Sequence, residues 1–81
     1  MSSQFAVPTP TQLAQVLRGL RKTQKSTQAD VASRGGLLPK TVSAIETHPA
    51  NVTVESLYRL LSALDVELVV RTKGDRRAAE W

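Results

Sequence analysis

Two adjacent glycines interrupt a run of residues that otherwise favours helix. The run is STQADVASRGGLLPKTVSAIE, residues 26–46, and the chain has four glycines in all. Glycine readily adopts the positive φ that ends a helix in the left-handed conformation, and proline suits the first turn of a new helix. We therefore predict two short helices joined by a tight turn at Gly36, with Leu37 behind the turn in the core and Pro39 opening the second helix.

Amphipathic patterns of period three and four predict one helix on each side of this pair. Threonines at positions 9, 27 and 53 are placed to cap the first, second and fourth helices, and Pro10 follows the first of them. The predicted inward positions are Leu13, Val16, Leu17 and Leu20 in the first helix, Val31 and Ala32 in the second, Val42 and Ile45 in the third, and Leu57, Leu60, Leu61 and Leu64 in the fourth.

After Asp65 the periodicity changes, and VELVVRT, residues 66–72, is typical of a β-strand. No second strand pattern occurs in the chain, so the strand has to pair with another molecule, most simply a second copy across a two-fold axis near Val69. The residues predicted to make this dimer are Val66, Leu68, Val69 and Val70. The expected organisation is an N-terminal arm at 1–8, a helical domain at 9–65, a dimerisation strand at 66–72 and a flexible tail at 73–81.

Charge is distributed unevenly along the chain, whose net charge is +4. Residues 1–50 hold six Lys or Arg against two acidic residues, whereas residues 51–81 hold five of each sign. The excess positive charge therefore lies beside the interrupted helix, which favours an acidic partner, although basic charge that only keeps a small protein soluble is the plainer alternative.

Several classes of function are not expected. There is no cysteine for a disulfide or a thiolate metal site, and no signal sequence or long apolar segment is evident, so we expect a cytoplasmic protein without a membrane partner. The single histidine, His48, has no candidate nucleophile or metal ligands beside it, which argues against an enzyme and against a metal or other cofactor. His48 is expected to contact the loop or a phosphate instead.

A helix that projects after a sharp turn suits the major groove of double-stranded DNA. The sequence here resembles the Xre or Cro/CI helix-turn-helix family, whose pattern TQxxLA...G...TxSxxE appears as Thr27, Gln28, Val31, Ala32, Gly36, Thr41, Ser43 and Glu46. The resemblance implies a mainly α, lambda-repressor-like domain of four to five helices, with the single C-terminal strand pairing across the dimer two-fold. It implies that DNA is contacted by Gln28, at a phosphate, and by Leu38, Lys40, Thr41, Ser43, Ala44 and Thr47.

Three positions depart from the family pattern. Pro39 stands where many members have a polar residue that reads bases, and Leu38 replaces the usual polar cap. Readout is therefore expected to depend on Lys40, on Ser43, and on apolar contacts from Leu38 or Ala44 to thymine methyls. Gly35 replaces an apolar residue and is expected to loosen the packing of the turn.

Supporting roles are also expected for neighbouring charged residues. Glu46 is predicted to be a structural partner of the loop or of the first helix rather than a DNA contact. Basic residues of the first helix and of the turn after it could lie beside DNA phosphates, the alternative being that they are only solvated. These residues are Arg18, Arg21, Lys22 and Lys25.

A narrower resemblance, to the HipB antitoxin family, runs from SSQFAVPTPTQLAQVLRGLRKTQKSTQADVA through ETHPANVTVESLYRLLSALDVELVV to the terminal Trp81. It implies an autorepressor that acts as a dimer on a palindromic operator and binds a HipA-like kinase toxin. Trp81 would contact the toxin by position, the alternative being that it folds back on its own domain. A free-standing Xre-type repressor without a toxin partner is the alternative function.

Overall fold

The computed structural model describes residues 4–73, which contain four α-helices and one short 3₁₀ turn. The helices are α1 (Pro10–Thr23), α2 (Gln28–Gly35), α3 (Pro39–Thr47) and α4 (Val54–Ala63), with the 3₁₀ turn at Pro49–Asn51 between the last two. This confirms the mainly α fold predicted from the periodicity. Within the described part of the chain, no helix has the length and apolar character needed to cross a membrane.

Threonine hydroxyls begin three of the four helices, as the sequence predicts. The side chains of Thr9, Thr27 and Thr53 accept hydrogen bonds from the backbone N–H three residues later. At Thr27 the cap is reciprocal, because its own N–H donates to Asp30 Oδ2 at 2.9 Å. The hydrogen bonds from the Thr27 backbone and side chain lower the pKa of Asp30, so the helix start carries a negative charge where it is favourable.

The turn between α2 and α3 depends on both glycines, for different reasons. Gly36 has φ +69°, the left-handed conformation predicted for it, and the N–H of Leu37 donates to the carbonyl of Ala32 at 2.8 Å. Gly35 ends α2 against the backbone of α4: a Cβ there would lie 2.8 Å from the carbonyl oxygen of Arg59. The expected loosening at Gly35 is therefore wrong, since the missing side chain is what lets the two helices approach.

One apolar core joins α1, α2, α3 and α4. Its buried residues come from every predicted inward stripe, and Leu13, Leu37, Leu57 and Val66 pack against them partly buried. No polar or charged residue among those described is fully buried. The core cluster consists of Leu17, Val31, Ala32, Val42, Ile45, Leu60, Leu61 and Leu64.

Residues 66–72 leave the core after Val66 and form neither a helix nor a hydrogen-bonded strand within the single described chain. The exposed fraction rises along the segment, from 40% at Leu68 to 67% at Val69 and 92% at Val70. Because the predicted strand needs a second molecule, its pairing stays a prediction. Trp81 and the rest of the tail from residue 74 lie outside the described residues.

Candidate nucleic-acid interface

Helix α3 presents one stripe of side chains outward and another to the core. Val42 and Ile45 are buried, whereas Lys40 and Thr47 are exposed and Ala44 is half-buried between them. Positions 40, 44 and 47 recur at helical spacing, with Ser43 beside them, so they share a face. At the start of this face Leu38 is 58% exposed and Pro39 is exposed as well. The structure thus brings together on this face five of the seven residues predicted to contact DNA. Thr41, also on α3, is half-buried.

The inner side of α3 is fixed by a bidentate ion pair. Arg21 of α1 donates from Nε to Glu46 Oε2 at 2.7 Å and from Nη2 to Glu46 Oε1 at 3.0 Å, and its Nη1 donates to the carbonyl of Ser26 at 2.9 Å. The two side chains are 11% and 3% exposed. Glu46 is therefore a partner of helix α1, one of the two roles predicted for it. Glu46 and Ser26 engage three of the five N–H donors of Arg21, and the phosphate contact of Arg21 stays a prediction.

Burial and hydrogen bonding act in opposite directions on Glu46. Burial raises the pKa of Glu46, whereas the hydrogen bonds from Arg21 and Gln28 together lower it by a larger amount. The pKa of Glu46 is therefore below its ordinary value of 4.5. The pKa of Arg21 is raised, chiefly by its hydrogen bond to Glu46. Both groups are consequently charged near neutral pH.

Gln28 extends this network to the first turn of α2. Its Nε2 donates to Glu46 Oε1 at 3.1 Å, which leaves the second hydrogen of the same amide nitrogen for another acceptor. The predicted phosphate contact by Gln28 is compatible with this geometry, and it stays a prediction.

A shallow depression lies between the end of α1 and the starts of α2 and α3. Lys22 and Lys25 are exposed there, and the two ion pairs found in residues 4–73, Arg21–Glu46 and Arg59–Glu55, involve neither of them. Positive charge beside a helix N-terminus attracts anions such as phosphate. The depression is lined by Arg21, Lys22, Lys25, Ser26, Thr27, Gln28, Ala29 and Pro39.

At the other end of α3 the hydroxyl of Thr47 is already engaged. Its Oγ1 donates to the carbonyl of Ser43 at 2.8 Å and lies 2.9 Å from Nδ1 of His48. Since the hydroxyl has one hydrogen, donation to Ser43 requires His48 Nδ1 to carry its own proton and donate to Thr47. The side chain of Thr47 is therefore directed by its own helix.

The Arg21–Glu46 pair was not foreseen as such, although the sequence carries a signal for it. Arg21 lies four residues after Leu17, and Glu46 lies four residues after Val42, so both charges continue inward stripes. Opposite charges at inward positions of two helices indicate that they pair with each other. Among the described residues no group of three or more His, Asp or Glu side chains is arranged to hold a metal ion.

Comparisons with known proteins agree with this geometry. A helix-turn-helix family model matches residues 17–70. Antitoxin HipB of Escherichia coli (strain K12) is 29% identical over 70 residues, which span 86% of this chain and 80% of that protein. A solved HipB–O2 20mer complex superposes with a TM-score of 0.84 at 28% identity, over 89% of this chain and 100% of that one. The wild-type restriction-modification controller protein C.Esp1396I gives a TM-score of 0.66 at 28% identity, over 70% of this chain and 74% of that one.

Proposed function

The chain belongs to the helix-turn-helix family, and from that premise we propose that it is a sequence-specific DNA-binding autorepressor and the antitoxin of a HipA-type kinase toxin. The family comprises DNA-binding regulators and antitoxins, not enzymes. The observation that carries the proposal is the extent of the likeness to HipB, which spans 86% of this chain in the sequence comparison and 89% in the structural one. The protein would act in the cytoplasm, on its own operator and on the kinase.

DNA binding is proposed for the outward face of α3 together with the start of α2. Lys40 supplies donors to a base edge or phosphate, and Gln28 supplies the remaining hydrogen of its amide to a phosphate. Arg18, Lys22 and Lys25 add positive charge alongside, since none of them is held in an ion pair within residues 4–73. The complete proposed contact set is Gln28, Leu38, Lys40, Thr41, Ser43, Ala44 and Thr47.

Dimerisation is proposed through residues 66–72. Leu68, Val69 and Val70 form a consecutive apolar run that is exposed in the single chain, and such a run with unpaired backbone N–H and C=O groups favours pairing with another strand. An antiparallel ribbon of two copies about a two-fold axis covers this run and leaves Val66 on the core of each protomer. Two α3 helices related in this way would address the two halves of a palindromic operator.

Toxin binding is proposed to include Trp81. The tail that carries it is charged, and a tryptophan covers roughly 150–250 Å² when it is buried, so a docked position is favoured over a solvated one. This part of the proposal depends on the resemblance to HipB, because Trp81 lies outside the described residues.

A free-standing repressor is the second candidate. It is favoured by the likeness to the restriction-modification controller protein, which covers the helices but a smaller share of the chain. The two candidates agree about DNA binding and differ in whether a kinase partner exists.

Affinity capture from native cell extract separates the two candidates. The baits are the full chain, a copy lacking Trp81, and Tyr58→Ala as a matched control, since Tyr58 is an aromatic residue 53% exposed on α4. Recovery of a HipA-like kinase with the full chain and the control, and its loss without Trp81, supports the antitoxin function. Recovery of operator DNA alone with all three baits would refute the toxin partner and leave the free-standing repressor.

A further inference from the structure

The outward face of α3 is poor in the side chains that usually read bases. Direct readout in the major groove relies on Arg or Lys at guanine, Asn or Gln at adenine, and Asp or Glu at cytosine. Residues 38–47 contain Lys40 and Glu46 from that set. Glu46 accepts hydrogen bonds from Arg21 and Gln28 and is 3% exposed, so Lys40 is the long polar side chain left on this face.

Apolar surface takes the place of those polar groups. Leu38 precedes the first turn, is 58% exposed, and forms no side-chain capping bond. Pro39 follows it at the first helical position, and half-buried Ala44 lies farther along the same face. An exposed leucine has free energy to gain from any apolar partner that covers it.

The hydroxyl groups on this face supply few further hydrogen bonds for base recognition. Thr47 is engaged with the carbonyl of Ser43 and with His48, and Thr41 and Ser43 are half-buried. In the major groove, the apolar group offered by DNA is the C5 methyl of thymine. The exposed lysines beside the face favour a polyanion over an apolar protein partner as its occupant.

We infer that the protein recognises its operator largely through thymine methyl groups, with Leu38 and Ala44 as the residues that contact them and Lys40 anchoring the register. This inference rests on the proposed DNA-binding function. It predicts that base preference follows the methyl group itself, and not the hydrogen-bonding pattern of the A·T pair.

The test begins with selection of binding sites from a random duplex library by the full-length protein. Each thymine of the selected half-site is then replaced by deoxyuridine, which removes the methyl and keeps every hydrogen-bonding group. Loss of one buried methyl should weaken binding about fourfold, the ratio that roughly 0.8 kcal/mol gives. Thymines outside the half-site, replaced in the same way, serve as the control for altered DNA.

Variants assign the contacts to residues. Leu38→Ala should abolish the effect of deoxyuridine at one thymine and keep it at the others, whereas Val54→Ala, at a valine 68% exposed on α4, should keep it everywhere. If the selected site binds equally well when its thymines are replaced by deoxyuridine, the inference is overturned and the proposed function still stands. Failure to enrich any site would refute sequence-specific binding itself, and the inference with it.

Discussion

Alanine in place of glycine should have opposite effects in two helices of this protein. Both substitutions add one methyl to a helical residue and gain up to about 1 kcal/mol of helix propensity. At Gly19 in α1 no atom lies within 4 Å of the place a Cβ would take, so the gain is expected in full. At Gly35 the same Cβ would lie 2.8 Å from the Arg59 carbonyl oxygen and 3.3 Å from the Cβ of Ala63.

The cost at Gly35 exceeds the gain because the obstructing atom belongs to the backbone. α2 has to move away from α4, and overpacking of this kind costs about 1–3 kcal/mol. We expect Gly35→Ala to lower the free energy of unfolding by up to about 2 kcal/mol and Gly19→Ala to raise it by up to about 1 kcal/mol. Because the gain in helix propensity is common to both variants, they differ by the cost of overpacking, about 1–3 kcal/mol.

Urea denaturation followed by circular dichroism at one fixed protein concentration measures this difference. With a typical dependence on urea for a small domain, the midpoints should be separated by about 1 M. If Gly35→Ala is as stable as Gly19→Ala, the close approach of α2 to α4 is not the reason that position 35 requires glycine.

Three further outcomes are expected from the ion pair, the proposed DNA-binding face and the predicted strand. Glu46→Gln should lower the free energy of unfolding by about 2–3 kcal/mol at neutral pH, because Arg21 loses its charged partner. Since the pKa of Glu46 is lowered in the folded protein, the stability difference between native protein and variant exists above pH 4.5 and should shrink as the pH falls below it. A stability difference that stays constant during acid denaturation would contradict the pairing. Lys40→Ala should weaken operator binding by about 1–3 kcal/mol and relax base preference, whereas Lys22→Ala should weaken binding to all sequences and reduce its salt dependence. If the two variants give the same mobility-shift profiles, Lys40 does not contact bases. Val69→Lys should shift the sedimentation coefficient toward the monomer and Val54→Lys, at an equally exposed valine, should not; a normal dimer for the Val69 variant would exclude a two-fold at that register.

Local rules predicted most of the fold because each acts over a few residues. The capping threonines, the left-handed Gly36 and the inward stripes depend on spacings of three or four, which are visible in the sequence. The role of Gly35 was not predictable in the same way, since its reason is a carbonyl 24 positions away in α4. Close approach between distant segments leaves no local pattern.

The outward face of α3 and a structural role for Glu46 against the loop or α1 were predicted, whereas Arg21 was not identified as the partner of Glu46. The outward positions of α3 follow from helical periodicity once the inward positions Val42 and Ile45 are known. Whether a basic residue is available to DNA depends on long-range partners such as Glu46, which engages two of the five N–H donors of Arg21. The pairing proposed for residues 66–72 and the contact proposed for Trp81 both involve a second molecule, so neither follows from local rules within this chain.

The separation of the two sides of α3 bears on how this protein can diverge. Its inward residues Val42 and Ile45 belong to the core cluster and Glu46 pairs with Arg21, while Lys40 and Thr47 are exposed and Ala44 is half-buried. Substitutions on the outer side are therefore nearly neutral for stability. Under the proposed DNA-binding function, a duplicated copy of the gene can thus change its base preference in single steps on this outer side without first losing its fold.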